Sequence, residues 1–188
     1  MTRILGDAWE VLDQVVGRGA SSEVRLGRRV GDGASVAVKL LNRDRCREPA
    51  ASHRFARECA VLRGRPHPNV VSVFDLIDDG DSRAIVMEHV TGGDLRRRLE
   101  AAPGRRVDPA LALRWAADIA VGLDHLHRGG AVHRDVKPEN ILVLRGHAVV
   151  ADFGIARALT QAAERTTETG VGAHTTSGLV LGTPAYMS

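Results

Sequence analysis

The stretch HRDVKPENILVLRGHAVVADFG, from His133 to Gly154, decides the reading of this 188-residue chain. Two short apolar runs, Ile141 to Leu144 and Ala148 to Ala151, flank Arg145-Gly146-His147, a pattern that predicts a β-hairpin. If Leu144 faces Ala148, paired residue numbers sum to 292, which sets Asn140 opposite Asp152 at the open end of the hairpin. Two oxygen-bearing side chains then converge. Such a donor set suits a hard divalent cation such as magnesium, which takes few protein oxygens and completes its shell with phosphate and water.

Upstream of the hairpin, Ala112, Ala116, Ile119, Leu123 and Leu126 recur at helical spacing. Asp108-Pro109 supplies an N-cap and first-turn pair for that helix, and Gly129-Gly130 stops it. The first ninety or so residues read differently, as short strands broken by Gly and Asp turns: Trp9 to Val16, Glu23 to Arg29, Ser35 to Leu41, Val71 to Ile77 and Arg83 to Glu88. One helix, at about Ala51 to Arg63, interrupts them. The expected architecture is α+β, a strand-rich small lobe hinged near Glu88 to Gly93 onto a mainly helical lobe.

Composition narrows the function classes. With 44% hydrophobic and 26% charged residues the chain has material for a core and is no disordered tail. No apolar run approaches the roughly 18 residues of a membrane span, and MTRILGDAWEVL lacks the apolar region of a secretory signal, so a cytoplasmic location without membrane contact is expected for this stretch. Cys46 and Cys59 lack metal-ligand spacing. A net charge of +3 invites a nucleic-acid reading, but interspersed charges and 3% aromatic residues offer few stacking platforms, and no nucleic-acid partner is expected. Of the 26 basic residues only Lys39 and Lys137 are lysines, leaving 26 − 2 = 24 arginines. A chain that uses arginine almost everywhere keeps a compact ammonium at two places.

Lys39 lies in SVAVKLL, where alternation puts Val36, Val38 and Leu40 on one face and Ala37 with Lys39 on the other. A lysine inside an apolar strand is costly unless paired. Gly17 and Gly19 fall between two strand patterns, where missing side chains let backbone amides close over phosphates.

These motifs together resemble the eukaryotic-type protein kinases, most closely their bacterial serine/threonine branch. They are GRGASSEV at Gly17 to Val24, VAVK at Val36 to Lys39, HRDVKPEN at His133 to Asn140, DFG at Asp152 to Gly154 and GTPAY at Gly182 to Tyr186, in the family's order along the chain. Chance alone would place H-R-D-x-K-x-x-N in a chain of this length with odds of about 6 × 10⁻⁵. The third glycine of the family's loop is Ser22 here.

The resemblance implies a two-lobed kinase fold, with an antiparallel sheet and one helix in the N-lobe and an incomplete helical C-lobe. Residues 1–8 would form an extension, 9–90 the N-lobe and 91–188 a partial C-lobe ending at Tyr186-Met187-Ser188, just before the family's Pro-Glu pair. ATP and Mg2+ are the implied cofactors and proteins with Ser/Thr acceptors the implied partners, with a dimer as the arrangement for trans-autophosphorylation. Val16, Gly17, Gly19, Ser22, Val24, Ala37, Met87, Glu88, Val90, Asp94 and Leu142 would surround the nucleotide. Lys39, held by Glu58, would bind its phosphates; Asn140 and Asp152 would hold magnesium. Asp135 would take the acceptor proton and Lys137 steady the transferring group, with His133 and Phe153 as supports. Asp94, just before a helix, reads equally as an N-cap. Arg134 would clamp a phosphorylated activation loop at Thr175, Thr176 or Ser177, and Thr183 would bond Asp135 and Lys137. A silent nucleotide-binding or scaffold module, and a small-molecule phosphotransferase, are the rival readings.

Overall fold

The computed structural model describes residues 3–19, 22–41, 63, 66–78 and 83–152. Six strands form one antiparallel sheet: β1 (Arg3–Leu5), β2 (Trp9–Arg18), β3 (Ser22–Arg29), β4 (Ser35–Leu41), β5 (Val73–Asp78) and β6 (Arg83–Glu88), in the order β1-β2-β3-β4-β6-β5. β4 is the sheet's best-buried strand, and its alternation divides the faces as the sequence predicts. Val36 and Val38, with Leu40 partly buried, join Leu5, Trp9, Val11, Ile77, Ala84 and Val86 in one core. Lys39 takes the opposite face, paired across the ladders with Val24 and Ile85.

The second lobe follows. Helix α1 (Leu95–Ala101) starts at an Asp94 cap, and helix α2 (Pro109–Arg128) starts at Asp108, whose carboxylate accepts from the amides of Ala110 and Leu111. A 3-10 turn at Pro138–Asn140 leads into the hairpin β7 (Ile141–Leu144) and β8 (His147–Val150). Trp115 and Leu126 of α2 pack with Ile141, Val143, Ala148 and Val150, and this cluster continues into Leu41, Val73 and Ile85 of the sheet. One apolar core therefore runs beneath both lobes.

Four expectations need correction. The first eight residues are no mere extension, because β1 pairs with β2 and Leu5 is buried in the sheet's core. The strand expected from Val71 starts at Val73; Val71 instead donates its amide to Val150 O at 2.9 Å. The buried stripe of α2 keeps Ile119, Leu123 and Leu126 of the predicted one but shifts at its N-terminal half: Trp115 and Gly122 are buried, while Ala112 and Ala116 are exposed. Gly122 sits on the buried face because Asn69 O would lie 2.5 Å from any Cβ there. Finally, the hairpin pairs Leu144 with His147 and Ile141 with Val150, a sum of 291 in place of 292. Its turn has two residues, Arg145 and Gly146, both at positive φ (51° and 89°), as a tight hairpin turn demands. Asn140 therefore lies level with Ala151, whose amide donates to Asn140 O at 2.9 Å, and Asp152 follows one residue beyond. The predicted helix at 51–63, apart from Arg63, lies outside the described residues.

Candidate active site

Strand pairing builds the upper wall. Gly17 faces Val24, Val24 faces Lys39, and Ala37 lies between Leu26 and Met87. Val16 is half-buried on the same strand as Gly17. Gly19 N donates to Ser22 O at 2.8 Å, which closes the turn between β2 and β3. Lys39 is only 6% exposed, and burial lowers its ammonium from the usual value to about 8; the Asp135 carboxylate works against that shift and Lys137 adds to it. A buried cation of this kind needs an anion. Here it has the carboxylate of Asp152, which contacts Lys39 Nζ and so joins the two lobes.

Met87 and Glu88 end β6, and the chain then crosses between the lobes. Glu88 is tied to Ser72, its amide donating to Ser72 O at 2.9 Å. Val90 is buried with Val71, Val149 and Ala151, and Met87 and Leu142 pack against the same cluster. The structure thus collects three of the residues assigned to an adenine pocket into one apolar patch. Asp94 bridges to Leu142 through the backbone, and its carboxylate caps α1 by accepting from Arg97 N at 2.8 Å. Of the two readings of Asp94, the cap is the one seen.

The segment expected to carry catalysis, His133 to Asn140, is held by a compact set of bonds. His133, 2% exposed, sets Nε2 2.9 Å from Ala151 O, and its Nδ1 accepts from Asp135 N at 3.3 Å. That pattern requires the neutral Nε2–H tautomer, in keeping with burial, which lowers the imidazole below its ordinary value. Arg134, exposed and at φ 62°, turns the chain so that Asp135 enters the site. Asp135 Oδ2 then meets Lys137 Nζ at 3.0 Å and Asn140 Nδ2 at 3.1 Å, and Asn140 Nδ2 also donates to Asp135 O at 2.8 Å. A carboxylate gripped by a cation and an amide is fixed in orientation.

The residues present fit a magnesium ion. Asn140 commits its amide nitrogen to Asp135, which leaves its side-chain oxygen as the potential ligand, and Asp152 offers a half-exposed carboxylate. Among the described residues no group of three or more His, Cys, Asp or Glu could hold a metal alone, as suits an ion whose shell is mostly phosphate and water. Glu58, Phe153, Thr175, Thr176, Ser177 and Thr183 lie outside the described residues. Gly92 is a residue to which the sequence reading gave no role. Its backbone abuts β7 so closely that a Cβ would collide with the Val143 carbonyl; the Gly92-Gly93 pair just before the Asp94 helix cap was the available signal.

Comparison with known proteins agrees with this geometry. A family model described as "Protein kinase domain" matches residues 11–188. The chain is 39% identical over 197 residues to serine/threonine-protein kinase PkaB of Streptomyces coelicolor, covering all of this chain and 44% of that protein. It is 37% identical over 189 residues to serine/threonine-protein kinase PknB of Mycolicibacterium smegmatis, covering 98% of this chain and 28% of that protein. The chain thus spans less than half the length of these curated relatives. Among solved structures, Rad53 residues 1–466 in complex with AMP-PNP superposes with a TM-score of 0.70 at 29% identity, over 79% of this chain and 38% of that one. The chain belongs to the protein kinase domain family, beside the bacterial serine/threonine kinases.

Proposed function

We propose that this chain is the ATP-dependent phosphoryl-transfer unit of a protein serine/threonine kinase. The observation that carries the proposal is the Asp135 carboxylate held between Lys137 and Asn140, while Lys39 and Asp152 meet across the cleft above it. Asp135 orients the acceptor hydroxyl and takes its proton as the hydroxyl oxygen attacks the γ-phosphorus. Lys137 lies beside that carboxylate and offsets negative charge on the transferring group. Phosphate oxygens of ATP take over Lys39 from Asp152, which frees the Asp152 carboxylate, with Asn140 Oδ1, for magnesium. Bound magnesium would supply positive charge against the β- and γ-phosphates. Met87, Val90 and Leu142 give the adenine an apolar slot, covered by Val24 and Ala37, and the β2–β3 turn at Gly17, Gly19 and Ser22 would close over the phosphates.

Regulation belongs to the same reading. Glu58 would replace Asp152 as the partner of Lys39 in the active arrangement. Phosphate at Thr175, Thr176 or Ser177, placed there in trans by a second copy, would pair with Arg134, and Thr183 would brace Asp135 and Lys137. Asp135→Ala should lower turnover at least about 100-fold while changing ATP affinity less than about threefold. Peptide phosphorylation assays beside nucleotide-binding titrations test this, and undiminished transfer by Asp135→Ala would overturn it. Mass spectrometry after incubation with Mg-ATP should place phosphate within residues 175–177.

A further inference from the structure

We infer that the arginine-rich surface from Arg96 to Arg106 selects acidic protein substrates; this deepens the kinase reading above and rests on it. Five of the eleven residues from 96 to 106 are arginine, against 24 of 188 in the chain, and Glu100 is the only acid among them. All five arginines are exposed. Glu100 takes Arg96 at 2.8 Å, Asp94 takes Arg97 at 3.3 Å, and Arg98 donates to Gly92 O. Arg105 and Arg106, on the turn that follows α1, have no carboxylate partner among the described residues. Two uncompensated guanidiniums at one turn form an anchor for carboxylates, which the fork of arginine binds in bidentate fashion.

The surface stands beside the reaction centre. Asp94 bridges to Leu142, Gly93 O accepts from Val143 N at 3.0 Å, and α1 packs against the Pro138–Asn140 turn whose Asn140 holds Asp135. Helix α1 rises about 10 Å over its seven residues, so the arginine turn lies on the order of 10–20 Å from the base. An extended peptide covers that span in about three to six residues. Glu139, exposed on the Pro138–Asn140 turn that carries Asn140, disfavours acids next to the acceptor. The selectivity is therefore positional: acids about three to six residues from the acceptor hydroxyl, and none beside it.

The full chain is assayed with three serine peptides that carry glutamates three to six residues away, glutamates adjacent, or no charge. The expected result is a KM about tenfold lower for the first peptide than for the neutral one, lost in 0.5 M salt. Arg105→Glu with Arg106→Glu should raise that KM about tenfold, and leave kcat and the neutral peptide unchanged. Arg106→Glu alone, at an extended backbone position, gives part of the effect if the double variant fails to fold. Equal KM values for all peptides would overturn the inference while leaving the kinase reading intact; phosphorylation of none would overturn the kinase reading. Binding of an unreactive alanine-for-serine acidic peptide, read by anisotropy, separates the two, since it needs no turnover. Arginine-dependent binding to phosphatidylserine vesicles without any peptide preference would assign the surface to a membrane and refute the proposal.

Discussion

Gly92 and Gly93 are neighbours whose replacement by alanine should have unequal costs. At Gly92 an added Cβ would fall inside the envelope of the Val143 carbonyl oxygen and 2.9 Å from its carbon. Ordinary carbon–carbon contact is about 3.5–4.0 Å, so hinge and hairpin must separate by about 1 Å or more. Separation strains the Val143 N to Gly93 O bond and the Arg98 to Gly92 O bond, each worth about 1 kcal/mol, and overpacking adds about 1–3 kcal/mol. Gly92→Ala should therefore destabilise by about 3–5 kcal/mol. It should also weaken ATP binding at least about tenfold, because Leu142 moves with β7. Gly93 has φ +73° but nothing within 4 Å of a Cβ, so Gly93→Ala costs only the left-handed strain of about 1 kcal/mol. Urea unfolding of both variants, with nucleotide titrations, makes the comparison. A Gly93→Ala variant as unstable as Gly92→Ala would refute the close-approach reasoning.

Two further outcomes are expected. Asp108→Ala removes the acceptor for the Ala110 and Leu111 amides and should cost about 1 kcal/mol in urea unfolding, whereas Asp108→Asn should cost less than half of that. Burial holds His133 and His67 below the ordinary histidine value of 6.5, the charge of His125 adding to the effect at His67. The unfolded chain therefore binds protons that the folded one refuses, and stability should fall as pH drops from about 6.5 toward 5. A flat urea midpoint across that interval would contradict it, and His133→Asn should flatten the slope in part.

Legibility followed the strength of local chemistry. β4 and β6 match their predicted bounds residue for residue, since alternating β-branched residues between turn signals have one reading. The start of α2 was equally plain from Asp108-Pro109. Its buried face was not, because alanine suits either side and Gly122 is explained only by the distant Asn69 carbonyl. The hairpin register slipped by one because an arginine occupies a left-handed turn position where asparagine or glycine would have been the signal. β1 escaped notice because three residues carry too short a pattern. Motif residues named the members of the candidate site, and three-dimensional packing added its wiring: no spacing announces that Asn140 Nδ2 bonds Asp135 Oδ2 and the Asp135 peptide oxygen, or that Asp152 faces Lys39.

The bonds that join Asn69 and Val71 to β8 have a mechanical consequence. Val150 N donates to Asn69 O at 2.8 Å, Val71 N to Val150 O at 2.9 Å, and Asn69 Nδ2 to Ala148 O at 3.0 Å, while Gly93 O holds Val143 N on the other hairpin strand. Residues 69–71, which lead into β5, are thereby seated on β8, so the sheet turns about this seam more readily than it slides along it. Val11, level with the hinge end of the sheet, and Gly17 are six residues apart on β2, about 20 Å. A rotation of about 10° thus carries the β2–β3 turn through about 3 Å while Leu142 and Val90 scarcely move. Under the proposed kinase reading, nucleotide entry would change the height of the roof over the phosphates, while the apolar patch of Met87, Val90 and Leu142 keeps its shape.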